Sequence, residues 1–220
     1  MTISITMNSG RNMRRSTARR ALTSATTAAL AGALALSVSG SVQAAPKATT
    51  PGFLAARDMP QAAGTVWTAG QVTRGAPEQD PFCLEKVLPA QGTTWYRQFG
   101  TDLDTGGAQV SVQAPSAAAA KKLAASAEAA VASCAADWLR ATPGGTASWD
   151  DYGRIAVEEG ARVFGVATSV PDSGLDVHLL GIGRDGATVT IVTWGRLGDL
   201  GDAPVGAFKK TTTTAVNKLR

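Results

Sequence analysis

The chain has little of what catalytic and metal sites are usually built from, since its 220 residues include two cysteines and one histidine. A tetrahedral zinc site needs four ligands, which two thiols and one imidazole cannot supply. The cysteines lie far apart, so no C-x-x-C redox motif occurs, and no G-x-S-x-G motif marks a nucleophilic serine. The sequence therefore predicts no catalytic residue, no metal and no cofactor.

Basic residues are in excess only at the N-terminus. The whole chain has 21 Lys and Arg against 17 Asp and Glu. Five of these basic residues precede residue 45, namely Arg11, Arg14, Arg15, Arg19 and Arg20. The remainder has 16 basic and 17 acidic residues, a net charge of −1, so we expect no binding to nucleic acid.

Residues 1–44 are typical of a secretion signal peptide. The five arginines precede an apolar run at 28–36, which is shorter than the about 20 residues of a membrane span. Cleavage is predicted between Ala44 and Ala45, because cutting one residue later would place Pro46 directly after the bond. The last two arginines leave open a twin-arginine signal. We expect a secreted or cell-envelope protein that meets the membrane only through its signal before cleavage.

The two cysteines are predicted to form a disulfide. Cys134 lies on the apolar face of a helix predicted over 116–139, and Cys83 lies on a short helix predicted over 82–88. Two inward-facing thiols in an exported chain favour a structural disulfide. Closing a loop of 51 positions stabilises the fold by about 4 kcal/mol in the chain-entropy model.

The remaining pattern predicts an α+β domain at 65–220 after a linker or arm at 45–64. Strands are predicted at 66–73, in a hairpin at 93–114, and at 153–159, 161–170, 175–183 and 187–195. A last helix is expected to begin near Pro204. Because neighbouring strands are joined by short turns, we predict an antiparallel sheet with the two main helices packed on one face.

The segment "GIGRDG" has the glycine spacing of a dinucleotide-binding motif. That motif needs a following helix, whereas an alternating, β-branched strand follows here. A hairpin with a two-residue turn at Asp185–Gly186 is therefore predicted, with His178 opposite Thr193. Both faces of this hairpin are largely apolar, so it should lie mid-sheet and be covered at least in part on both sides.

The strand "WYRQFG" carries the candidate ligand site. Alternation places Trp95, Arg97 and Phe99 on one face and Tyr96 on the other. An inward guanidinium must find an acid, stack on a ring or reach a cleft. We predict a cleft for an anionic ligand or a sugar that includes Trp95, Tyr96, Arg97 and Trp194. A salt-bridged Arg97 at the rim is the alternative.

His178 is the chain's one candidate imidazole base. It lies in mid-strand beside Leu180 and Ile182, which favours a structural position at the margin of the core, hydrogen-bonded to a residue such as Thr193. A general base would need a nucleophile and an orienting partner, which sequence spacing cannot supply.

The order of several segments resembles a known extracellular family. "FLAARDMPQAAGTVWTAG", "CLEKVL", "TTWYRQFGTDL" and the Ala-rich helix ending in Cys134 are similar to successive segments of actinobacterial PknH-like extracellular sensor domains. The resemblance covers residues 53–220 and implies a mixed sheet-and-helix fold with a cleft and a non-catalytic sensing role. The receptor versions carry two disulfides and cap a membrane span, whereas we expect a stand-alone secreted version here.

The leading hypothesis is a secreted, non-enzymatic binding module for a small molecule or a cell-envelope component. One alternative is a secreted hydrolase using His178 with a distant Ser or Asp, and another is a surface interaction protein without a pocket. A Ser, Asp or Glu within hydrogen-bond reach of His178 at a pocket mouth would favour the hydrolase. A flat surface around Arg97 would favour the pocketless protein.

Overall fold

The computed structural model describes residues 49–61, 65–89 and 93–220, and eight strands and two α-helices lie within them. The strands are β1 Thr68–Ala69, β2 Thr73–Arg74, β3 Thr94–Gly100, β4 Gly106–Gln113, β5 Thr146–Ile155, β6 Ala161–Ser169, β7 Asp176–Asp185 and β8 Thr188–Leu197. The helices are α1 Ala117–Ala141 and α2 Val205–Asn217, with short 3-10 turns at Ala56–Asp58 and Leu200–Asp202. The predicted signal peptide, with its cleavage site between Ala44 and Ala45, lies outside the described residues.

The described strands form one antiparallel sheet. Their order is β1-β3-β4-β8-β7-β6-β5, and β2 pairs with β3 as well. All pairings are antiparallel. The predicted antiparallel α+β fold with two helices on the sheet and one disulfide is confirmed.

Helix α1 begins where the sequence predicts. The Ser116 hydroxyl accepts the N–H of Ala119 at 3.1 Å and so caps the helix. Its buried face carries small side chains, namely Ala120, Ala124, Ala127, Val131 and Cys134. Because these side chains are short, the helix packs closely on the sheet, where Phe164 and Leu180 lie in the same cluster.

Helix α2 lies on the opposite face of the sheet from α1. Leu179 of β7 packs in one cluster with Phe208 of α2, whereas its neighbour Leu180 packs in another with Val131 of α1. Successive side chains of a strand point to opposite faces. The prediction that both helices cover one face is therefore wrong. The physical reason is that β7 and β8 carry apolar side chains on both faces of the sheet. Each face is therefore covered by a helix of its own.

The β7–β8 hairpin turns one residue later than predicted. Its two-residue loop is Gly186–Ala187, so His178 faces Gly195 rather than Thr193. Gly186 has φ +55°, and a positive φ at the first central residue is typical of a type II′ turn. Each partner moves by two residues, so the side chains keep their predicted faces.

The described part of the predicted linker, residues 49–61, packs against the sheet on the α2 side. Leu54 and Met59 are 0% and 2% exposed and join the cluster around Phe208. The N–H of Leu54 donates to Oε1 of the buried Gln109 at 2.7 Å. These residues are therefore packed rather than free, because β4 offers them a buried side-chain partner. The boundary at residue 65 stays a prediction.

The segment around Cys83 consists of turns instead of the predicted short helix. The N–H of Leu84 donates to Pro81 O, and the N–H of Val87 donates to Leu84 O. Cys83 has φ +71°, which a right-handed helix does not allow. The predicted disulfide is present, with the Cα atoms of Cys83 and Cys134 5.4 Å apart. It fastens the turns to α1, and Leu84 is fully buried beside it.

Candidate functional site

A cleft of about 890 Å³ opens between the turns around Phe82 and the sheet. The turns, residues 78–85, supply one wall, and the last residues of β8, 193–197, supply much of the other. His178 and Leu180 of β7 line the same space. The disulfide of Cys83 ties the wall of turns to α1.

Glycine at position 195 makes room for the imidazole of His178. A Cβ built on Gly195 would lie 2.8 Å from Nδ1 of His178. That distance is closer than side chains tolerate, so a larger residue would displace the ring from the cleft wall. The corrected register therefore explains how the imidazole fits into a tightly paired part of the sheet.

The His178 ring is held by packing rather than by hydrogen bonding. Phe82 lies against it with ring centroids 4.6 Å apart. Burial lowers the pKa of His178 below its usual 6.5, an effect that the charge of Asp176 partly opposes, so the ring is neutral at pH 7. The hydroxyl of Thr193, its expected partner, instead accepts the N–H of Ala108 at 3.0 Å.

The geometry of the cleft does not support the alternative hydrolase that was predicted to use His178. Within residues 49–61, 65–89 and 93–220, the His178 side chain makes no hydrogen bond to a Ser, Asp or Glu. None of the described residues that line the cleft is a serine. The predicted role of His178 would need a nucleophile or an orienting partner within hydrogen-bond reach.

Carboxylates dominate the charge of the cleft. Five of them line it, namely Glu78, Asp80, Glu85, Asp104 and Asp176. Arg196 is the only Lys or Arg among the described lining residues, and its guanidinium lies 5.9 Å from the centre of the Trp194 ring. With His178 neutral, four negative charges have no positive counterpart in the lining. This polarity is opposite to that of the anion site predicted from the sequence.

A smaller groove of about 520 Å³ lies on the other side of the same wall of turns. The disulfide and the C-terminal half of α1 line it, with Trp138 at one side. Phe82 and Glu85 line both spaces. The turns therefore form a thin partition, and its position depends on the bond between Cys83 and Cys134.

Of the four residues predicted to bind a ligand, Trp194 lines the cleft and the other three do not. Arg97 donates from Nε to Gly70 O at 2.7 Å and from Nη1 to Leu54 O at 2.8 Å. Trp95 is buried and Tyr96 is half-buried, on opposite faces of β3. A ligand-binding role for Trp95, Tyr96 and Arg97 stays a prediction.

Sequence reasoning missed most of the cleft. Phe82 and the three nearby carboxylates stand in "PEQDPFCLE", an acidic stretch around the first cysteine that could have drawn attention. Asp104 and Asp176 come from distant parts of the chain, and only the sheet order brings them to the same place.

No protein-family model matches the chain, and no curated protein matches it. A solved structure to which it is similar is the extracellular domain of PknH from Mycobacterium tuberculosis, with 14% sequence identity and a TM-score of 0.40. The similarity covers 69% of this chain and 85% of that one. This is a relation of fold at most, so membership of the PknH-like family remains a prediction.

Two further features of the described residues concern metals and membranes. Within them, no group of three or more His, Cys, Asp or Glu side chains is arranged to hold a metal ion. None of the helices found there is both long enough and apolar enough to span a bilayer.

Proposed function

We propose that this chain is an extracytoplasmic, non-enzymatic binding domain whose cleft takes a small molecule or a cell-envelope component. The observation that carries the proposal is the cleft between Phe82 of the turns and His178 and Leu180 of β7. Its volume of about 890 Å³ falls within the range of about 300–1,000 Å³ for ligand pockets. The sequence resembles extracellular sensor domains, and this resemblance motivates the proposal that ligand binding serves a sensing role.

A location outside the cytoplasm is part of the proposal. The disulfide between Cys83 and Cys134 supports it, because such bonds persist in oxidising compartments. Expression of the full chain in an actinobacterial host should yield an exported protein whose mass corresponds to a start at Ala45. An uncleaved chain retained in the cytoplasm would contradict this part of the proposal.

The binding function is tested by a thermal-shift screen against cell-envelope fragments and small molecules. A ligand at about 100 times its Kd stabilises the folded state by about 2.7 kcal/mol, which raises the Tm by about 5–10 °C for a domain of this size. Gln98 lines the cleft and is exposed, so Gln98→Trp should fill the space and abolish the shift.

Ser148→Trp is the matched control for this screen. It places the same ring on an exposed strand position outside the cleft. Every ligand that binds in the cleft should still raise the Tm of this variant. Equal shifts in the wild type and Gln98→Trp, for all ligands found, would remove the cleft as the binding site.

A further inference from the structure

We infer that the cleft selects an organic cation, a ligand with an ammonium-type group attached to an apolar or planar part. This inference rests on the proposed binding function and specifies the chemistry of its ligand. Two independent properties of the lining carry it: its uncompensated negative charge and its aromatic walls.

The negative charge is concentrated in the cleft rather than spread over the molecule. The five carboxylates come from three separate places: the turns at 78–85, the β3–β4 turn at Asp104 and the start of β7 at Asp176. Residues 45–220 carry a net charge of only −1. The surplus of four negative charges in the lining is therefore balanced by positive charge elsewhere on the protein.

These carboxylates are unpaired, in contrast to many others. Among the described residues, none of the five lies within 4.0 Å of a Lys or Arg nitrogen. Seven carboxylates elsewhere do, namely Asp58, Glu128, Asp137, Asp151, Glu158, Glu159 and Asp185. Glu85 and Asp104 accept backbone N–H groups, of Cys83 and Leu197, which fix their positions without neutralising their charge. A bound cation would supply the missing counter-charge.

The aromatic lining distinguishes an organic cation from a metal ion. Calcium requires six to eight oxygen ligands around one point, and no metal-holding cluster exists among the described residues. The cleft instead offers the Phe82 and His178 rings and Leu180 beside its acids. Aromatic faces attract ammonium groups and cover the apolar part of such a ligand.

The inference is tested with three probes that share one phenyl ring and differ in charge. Benzyltrimethylammonium is the cation, benzyl alcohol the neutral probe and phenylacetate the anion, each titrated calorimetrically into the mature chain at low ionic strength. The cation should bind at least about tenfold more tightly than either other probe. Raising the salt concentration to about 0.15 M shortens the Debye length to about 8 Å and should weaken binding of the cation alone.

Variants that remove single charges test whether the carboxylates of the cleft cause the preference for the cation. Asp80→Asn and Asp176→Asn should each weaken binding of the cation by about fivefold, because each removes one unit charge close to it. Asp172→Asn is the matched control: Asp172 is exposed outside the cleft and has φ +59°, a conformation that Asn also adopts. It should leave the affinity unchanged.

The outcomes separate this inference from the proposed function. Tighter binding of phenylacetate or benzyl alcohol, abolished by Gln98→Trp, would overturn the preference for cations and keep the binding cleft. Calcium binding more tightly than the organic cation would overturn the inference in the same way. If none of the probes binds, the cation inference falls, and the ligand screen decides the binding function independently.

Discussion

Phe82 covers His178, with ring centroids 4.6 Å apart and ring planes tilted by 39°. One ring belongs to the turns fixed by the disulfide and the other to a central strand. This contact removes water from the imidazole, and burial lowers its pKa despite the opposing charge of Asp176. The only histidine of the chain is thus a structural part of the cleft wall, and its titration should be visible in the stability of the fold.

Stability should fall as the pH drops below about 6.5, the pKa of an unfolded histidine. The pKa of His178 is lowered in the folded state. At pH values between this folded pKa and 6.5, the unfolded chain therefore binds more protons than the folded chain. The free energy of unfolding therefore rises with pH across this window, by at most about 1.4 kcal/mol per pH unit. Urea titrations between pH 5 and 8 measure it. His178→Gln should lose this component, and an identical pH dependence in this variant would refute the assignment.

Gly181, the first glycine of "GIGRDG", allows α2 to approach the sheet. Close packing of the helix explains this glycine, and no bound nucleotide is needed to account for it. A Cβ on Gly181 would lie 2.3 Å from Oγ1 of Thr212, whose hydroxyl donates to Phe208 O. Gly181→Ala should therefore lower the free energy of unfolding by about 1–3 kcal/mol, through displacement of the helix. The measurement is a urea titration at pH 7.

Gly206→Ala controls for the substitution itself. Gly206 lies within α2, and a Cβ there meets open space. Alanine has the higher helix propensity, so this variant should be more stable than the wild type by up to about 1 kcal/mol. Destabilisation by both variants, or by neither, would contradict the close-approach explanation.

The disulfide should account for a large share of the stability of the domain. Replacing Cys83 and Cys134 by Ser should lower the free energy of unfolding by about 4 kcal/mol in the chain-entropy model. It should also weaken ligand binding, since the wall of turns is no longer tied to α1. Non-reducing mass spectrometry of the wild type should find no free thiol, and two free thiols would exclude the bond.

The positive φ of Cys83 gives this experiment a second arm. A side chain at φ +71° costs about 1–2 kcal/mol relative to glycine. Cys83→Gly combined with Cys134→Ser should therefore be more stable than the double serine variant by about 1 kcal/mol. Equal stability of the two would mean that the turn relaxes once the bond is absent.

Local patterns in the sequence predicted several elements well, although β5 spans Thr146–Ile155 instead of the predicted 153–159. Ser116, the alanine spacing and Pro143 define α1, and the alternation in "ATVTIVTWG" defines β8, because both depend on neighbours in the chain. The two-sided apolar pattern of β7 and β8 already implied cover on both faces. Which helix covers which face depends on packing between residues that are distant in sequence. Local sequence patterns therefore could not show that the two helices lie on opposite faces.

Polar residues were the harder part of the prediction. Gln109 and Thr212 are fully buried, although their types suggested exposure. Gln109 is satisfied by Leu54 and Thr190, which are distant in sequence, and Thr212 by the backbone of its own helix. The acidic cleft was missed in part for the same reason, since Asp104 and Asp176 join the carboxylates of the turns only after the sheet is assembled.

Arg97 should act as a structural clamp, because its guanidinium joins Gly70 O and Leu54 O. Arg97→Ala should lower the free energy of unfolding by about 1–3 kcal/mol and speed hydrogen exchange at the Leu54 amide, while binding in the cleft persists. Arg97→Lys should restore little, because an ammonium lacks the planar fork that spans two carbonyls. Arg57→Ala, an exposed arginine in the same N-terminal segment, should change neither property. Loss of the ligand response at unchanged stability would instead support the sequence-based ligand role of Arg97.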